Sequence, residues 1–266
     1  MHSSSLFSVL ALAATALSAP NSHVQKRAQT VYLAGDSTMA RAGGVTTGWG
    51  VYLPYSLTLP VINRAIGGRS SRSFTVEGRF NEIIAAVQPN DIVIIEFGHN
   101  DGGSLSRGDN GRSVCPGTGA ETCRSTYNGQ QVTVHTYSWY LTEAGKALIA
   151  KGAKVIMSSQ TPNNPWESGR FLYGDGGRFV GYARDVAKAL GPNAMFVDHG
   201  GYTASIFQSM GKAATDRLFP QDHTHTSPAG ADVVSKAFVK GLQCAGGGFL
   251  EGFVKNSTES IPGTCL

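Results

Sequence analysis

Short, largely apolar runs recur along the chain at Val31–Ala34, Val61–Asn63, Ile92–Phe97, Lys154–Ser158 and Met195–Val197. They lack the strict apolar–polar alternation of a half-exposed strand, which is the pattern of parallel strands buried on both faces. Longer amphipathic stretches lie between and after them, over Glu77–Val87, Thr136–Ala150, Gly177–Leu190 and Pro228–Leu242. The last is preceded by Thr226-Ser227, a source of a capping hydroxyl, with Pro228 as the first helical residue. Strands alternating with helices predict a doubly wound, three-layer arrangement around a five-stranded parallel sheet. The segment from Gly98 to Gln131 carries no periodic pattern and is read as one long irregular loop, a length that in a compact domain usually signals function.

In open parallel sheets, sites form beyond the carboxyl ends of the strands. The segments expected there are AGDSTMA (from Ala34), RAIGGRSSRS (from Arg64), GHNDGG (from Gly98), SSQTPNNPW (from Ser158) and VDHGGY (from Val197). All are rich in Gly, Ser, Asn and His, so the polar residues gather where a site belongs.

The chain of 266 residues is 41% hydrophobic and 15% charged, which excludes a disordered or fibrous protein and suffices for one sizeable core. Residues 1–18 read as a secretory signal peptide. An apolar stretch from about Leu6 to Leu17 meets small residues, with Ala16 and Ser18 at the −3 and −1 cleavage positions, although no Lys or Arg precedes it. The stretch is too short to span a bilayer core of about 30 Å. Residues 19–27 read as a propeptide ending in the dibasic Lys26-Arg27, leaving a single domain over residues 28–266. Without that pair the net charge falls from +4 to +2, too small to imply nucleic-acid binding. A secreted, extracellular monomer with no membrane or nucleic-acid partner is expected.

Four cysteines in an exported chain predict two disulfides. Of three pairings, Cys115–Cys123 and Cys244–Cys265 are favoured because each joins near neighbours. No CxxC spacing supports zinc. Asn256-Ser257-Thr258 is an N-glycosylation triplet, so a glycan on Asn256 is expected.

Ser37 follows the first strand, where Gly35 permits a tight turn. The alternative is that Asp36, Ser37 or Thr38 caps a following helix. A serine nucleophile needs a base oriented by a third group, and Asp222 and His225 stand three residues apart in PQDHTHTSPAG. Acyl transfer also needs donors for the oxyanion. The candidates are the N–H of Gly68, the amide of Asn100 and the N–H of Ser37. Taken singly, the glycines could be plain turn residues and Asn100 the centre of an Asx turn.

The joint order of GDST, GGRS, GHND and DHTH resembles that of the SGNH, or GDSL-type, hydrolase superfamily. Its four namesake residues match Ser37, Gly68, Asn100 and His225. The chain is most similar to fungal rhamnogalacturonan acetylesterases, through YLAGDSTMA, GRSSRS, EGRF, VIIEFGHNDGGSLS, GTGAETC, KGAKVIMSSQTPNNPW, PQDHTHTSPAGA and GTCL. The resemblance implies a flavodoxin-like three-layer α/β/α sandwich and removal of acetyl groups from the rhamnogalacturonan backbone of pectin. It implies no cofactor and no metal. It also implies Ser37, Asp222 and His225 as the triad, with Ser37, Gly68 and Asn100 around the oxyanion. Thr38 stands where the wider pattern has Leu, as in the acetylesterase branch. Gly67 and Gly68 offer two candidate N–H groups, of which Gly68, directly before Arg69, fits the motif.

Substrate contacts are expected from Arg69, Arg72, Arg79 and Arg178, which could meet galacturonate carboxylates, and from Trp166, which could stack on a sugar. Other readings carry less of the pattern. A metal site built from Asp36, Asp222, His223 and His225 leaves Ser37, Gly68 and Asn100 without a role. A non-catalytic carbohydrate-binding protein would be expected to lose a triad member. An acetyl esterase on xylan or small esters would keep the chemistry and change only the substrate.

Overall fold

The computed structural model describes Met1 and residues 27–266. The expected signal peptide apart from Met1, and the expected propeptide apart from Arg27, lie outside these residues. Five parallel strands form the main sheet: β1 (Val31–Gly35), β2 (Val61–Asn63), β3 (Ile92–Glu96), β6 (Lys154–Ser158) and β7 (Ala194–Val197). Their spatial order is β2-β1-β3-β6-β7, the flavodoxin-like winding with its switch point between β1 and β3. This is the five-stranded three-layer sandwich that the alternation of strands and helices predicted.

Because successive side chains on a strand point to opposite faces, each central strand feeds two cores. Tyr32, Val93, Ile95 and Val155 pack against α2 (Ser71–Val76), α3 (Arg79–Ala86), α4 (Tyr137–Ala150) and α5 (Arg178–Leu190) through Phe74, Phe80, Leu141 and Val186. Val31, Leu33, Ile92, Ile94 and Ile156 pack on the other face. There they meet Leu53 of α1 (Leu53–Ser56), Phe207 of α6 (His199–Met210), and Phe238 and Leu242 of α8 (Pro228–Cys244). A short α7 (Lys212–Asp216) links α6 to the loop before α8.

The helices start where side chains can satisfy the free N–H groups. The Thr136 hydroxyl accepts from Trp139 N ahead of α4, and the Ser227 hydroxyl accepts from Gly230 N ahead of α8, with Pro228 first in the helix. Three expectations are corrected. The helix expected over Glu77–Val87 begins only at Arg79, because the chain turns at Gly78, separating α3 from α2. The segment Gly98–Gln131 is not wholly irregular: β4 (Thr122–Tyr127) pairs antiparallel with β5 (Gln130–His135) in a hairpin. And α6 occupies a stretch read only as a loop after the last strand.

The disulfides are Cys115–Cys123, tying the loop after β3 to the hairpin, and Cys244–Cys265, tying the C-terminal tail to the end of α8. Among the described residues no helix is long and apolar enough to cross a membrane.

Candidate active site

Ser37 lies two residues beyond β1, at the switch point. No helix begins there, so the capping alternative fails. Instead the chain makes a tight turn in which Met39 N and Ala40 N donate to Asp36 O, and the buried Asp36 carboxylate accepts from Thr38 N (2.9 Å) and the Thr38 hydroxyl (2.8 Å). Asp36 therefore folds the turn that carries Ser37. Burial raises its pKa, against the lowering effect of His99 and of the Thr38 hydrogen bonds.

His225 arrives from the loop before α8. That loop is held on one side by Thr47 N donating to Thr226 O (2.9 Å). On the other, Asn164 N donates to His223 O (2.6 Å) and the Thr224 hydroxyl to Asn163 Oδ1 (2.9 Å). So clamped, the loop sets His225 Nε2 2.8 Å from Ser37 Oγ and Nδ1 2.7 Å from Asp222 Oδ2. Asp222 Oδ1 accepts the N–H groups of His225 and Thr224, each at 2.7 Å. Burial works to raise the Asp222 carboxyl, but the His225 ring bond and the two backbone bonds outweigh it and hold its pKa at about 2. An ionised carboxylate can only accept, so Nδ1 carries the proton and Nε2 presents its lone pair to the Ser37 hydroxyl.

Beside Ser37, Ile66–Arg69 form a β-turn closed by Arg69 N donating to Ile66 O (3.3 Å). Gly68 occupies its third position at φ +75°, which a side chain would strain. A Cβ on Gly67 would sit 3.7 Å from Ser37 Cβ, so this turn flanks the serine. The N–H groups of Ser37 and Gly68 make no hydrogen bond among the described residues. Asn100, beyond β3, donates through Nδ2 to Arg69 O (3.1 Å) and accepts at Oδ1 from Arg112 Nη1 (3.3 Å); among the described residues its second Nδ2 hydrogen is unused.

Residues 33–233 match the GDSL-like Lipase/Acylhydrolase family. The chain belongs to this family. A rhamnogalacturonan acetylesterase of Emericella nidulans is 54% identical over 219 residues, covering 82% of this chain and 86% of that protein. The rhamnogalacturonan acetylesterase RhgT of Bacillus subtilis is 25% identical over 239 residues, covering 83% of this chain and 92% of the relative. Among solved structures, a Bacillus subtilis protein superposes with a TM-score of 0.65 at 21% identity over 83% of this chain. This chain spans 57% of that longer one, and the likeness is one of fold.

Three of the arginines expected to meet substrate are engaged by the protein's own carboxylates. Arg72 is buried, with Nη1 and Nη2 each 2.8 Å from the Asp109 carboxylate and Nη1 also on Ser113 O, so it has no free face for a sugar. Arg79 bonds Glu82 (2.9 Å) and lies 3.5 Å from Glu77, and Arg69 bonds both Glu77 oxygens (3.1 Å each) and Gly67 O (3.0 Å). Arg178 lies over the Phe179 ring. The Trp166 indole N–H is spent on Phe207 O (2.9 Å), and its ring packs edge-on against Phe171. Of the four residues of the rival metal reading, only Asp222 and His225 meet. His223 turns to Glu167 (3.0 Å), and among the described residues no group of three or more His, Cys, Asp or Glu is placed to hold a metal ion.

Two features escaped the sequence reading. Glu96 ends the apolar run of β3 opposite Gly35 and is fully buried. Its Oε1 accepts from Trp49 Nε1 (2.8 Å), and its Oε2 meets Ser158 Oγ (2.5 Å) and His199 Nδ1 (2.7 Å). This network joins β3, β6 and α6 beneath the site, and an acid closing the run IVIIE was its signal. A cleft of about 230 Å³, lined by His99, Gln160, Thr161, Asn163, Asn164 and Tyr173, adjoins the His225 loop.

Proposed function

We propose that the chain is a secreted serine esterase that removes acetyl groups from the rhamnogalacturonan backbone of pectin. The observation that carries the chemistry is the chain of contacts from Ser37 Oγ to His225 Nε2 and from His225 Nδ1 to Asp222, at 2.8 and 2.7 Å. The substrate follows from the 54% identical relative, named as an enzyme of that specificity. Two disulfides support an oxidising, extracellular location.

His225 Nε2 takes the Ser37 proton as Oγ bonds to the acetyl carbon, and the carbonyl electrons move onto oxygen. The N–H groups of Ser37 and Gly68 and the free Nδ2 hydrogen of Asn100 hold that oxyanion. Its collapse breaks the bond to the sugar oxygen, which leaves with the proton from His225. Water, deprotonated by His225, then attacks the acetyl-enzyme and releases acetate, returning the proton to Ser37 Oγ. Asp222 keeps the His225 ring in the required tautomer throughout.

Ser37→Ala is expected to remove nearly all acetate release from 4-nitrophenyl acetate, and activity within tenfold of wild type would falsify the nucleophile assignment. Acetate release from acetylated rhamnogalacturonan and acetylated xylan, measured side by side, tests the substrate. Preference for xylan would overturn the pectin reading and leave the chemistry standing.

A further inference from the structure

We propose that Arg112 is the receptor for a uronate carboxylate of the substrate, seated at the edge of the oxyanion donors. The proposal rests on the functional reading above and supplies the carboxylate contact that Arg69, Arg72 and Arg79 are too committed to make.

Arg112 is exposed, and its Nη1 reaches Asn100 Oδ1 at 3.3 Å. The same Nη1 lies 3.9 Å from the point where a Cβ on Gly68 would sit. The guanidinium thus borders two of the three proposed oxyanion donors. One of its five N–H groups is used on Asn100. Its Nε–Nη2 edge, the side-on fork that matches a carboxylate, makes no hydrogen bond or ion pair among the described residues. Three of the arginines expected to bind substrate have found a carboxylate of the protein's own, whereas this one, beside two of the proposed oxyanion donors, has not.

Its backbone is also built to hold it there. Asp109 Oδ1 accepts from Gly111 N (2.8 Å), and Asn110 Oδ1 accepts from Arg112 N (2.9 Å) and Ser113 N (3.0 Å), two successive side-chain turns. Asp109 is itself fixed by the buried Arg72, whose bonds, together with those of Gly111 N and Ser125, outweigh burial and hold the Asp109 carboxyl below the usual range. Arg72 therefore serves the site by anchoring the turn that presents Arg112. A pectic backbone carries a carboxylate on each galacturonate, next to the acetylated oxygens, so a fork at this edge would meet it when the acetyl carbonyl enters the oxyanion donors.

The test compares Arg112→Gln and Arg112→Lys with wild type on three substrates: acetylated rhamnogalacturonan oligosaccharides, the same oligosaccharides with their carboxylates reduced to alcohols, and 4-nitrophenyl acetate. Arg112→Gln is expected to raise KM on the carboxylate substrate about ten- to hundredfold with kcat nearly unchanged. Both neutral substrates should stay within about twofold, and Arg112→Lys should recover part of the loss because it keeps the charge without the fork. An equal loss on all three substrates would show that Arg112 acts only through Asn100 or on folding, and would overturn the proposal, as would no loss on any. Wild-type protein that cleaves 4-nitrophenyl acetate but releases no acetate from the uronate oligosaccharide would overturn the proposed function together with this inference.

Discussion

At the scale of the residue, Asp222 shows how a few hydrogen bonds set a chemical role. With its pKa at about 2, the carboxylate is ionised at any pH where the esterase would work, so the tautomer it imposes on His225 does not depend on pH there. Asp222→Asn removes that constraint, since an amide can donate to Nδ1 as readily as it accepts. On 4-nitrophenyl acetate kcat is expected to fall by about 10³–10⁴-fold with the fold intact by circular dichroism. A fall below tenfold would remove Asp222 from the mechanism. Ser37 and Asn100 were legible because each sits in a polar segment expected at one end of the sheet, and Asp222 and His225 because an acid and an imidazole stand three residues apart just before the last helix. The arginines were not, because a guanidinium's partner is chosen in space. Arg72 meets Asp109, thirty-seven positions away, and Arg112 meets Asn100 across a loop that carried no periodic signal.

At the scale of the element, the hairpin of β4 and β5 was missed although its turn is written in the chain. Asn128-Gly129 takes φ values of 51° and 76°, the two-residue turn with both central residues left-handed, for which Asn-Gly is the preferred pair. A Cβ on Gly129 would meet nothing within 4 Å, so the cost of Gly129→Ala is purely conformational. Urea denaturation should show a loss of about 1 kcal/mol, and an unchanged midpoint would contradict this account of the turn. The missed helix α6 has a different cause. Gly200 and Gly201 argue locally against a helix, but a Cβ on Gly200 would lie 2.4 Å from Gln160 O, so the neighbouring loop demands the glycine and tertiary packing carries the helix across it.

At the scale of the whole molecule, the carboxylates at the strand ends set how stability responds to pH. Burial raises Asp101 to about 7 despite hydrogen bonds from Ser71, and its Oδ2 has no hydrogen-bond partner among the described residues. Folded Asp101 therefore holds a proton that the unfolded chain releases near 3.8, and stability falls as pH rises between about 3.8 and about 7. Asp222 acts with the opposite sign: its contribution is complete above 3.8 and is lost as pH falls towards about 2. The thermal midpoint is expected to peak in mildly acidic solution near pH 4. Asp101→Asn should flatten the decline towards pH 7, an effect on the order of 4 kcal/mol, while changing little at pH 4. An unaltered slope would show that Asp101 is charged in the folded protein. By itself the sequence determined the architecture and the chemical cast, because burial of apolar runs on both faces and the reactivity of Ser, His and Asp are properties of residue type and local order. Only the tertiary structure decided which N–H groups are left unpaired beside Ser37, which arginine with a free fork stands next to Asn100 and which carboxylate is neutralised by burial, because each depends on the segments that packing brings together.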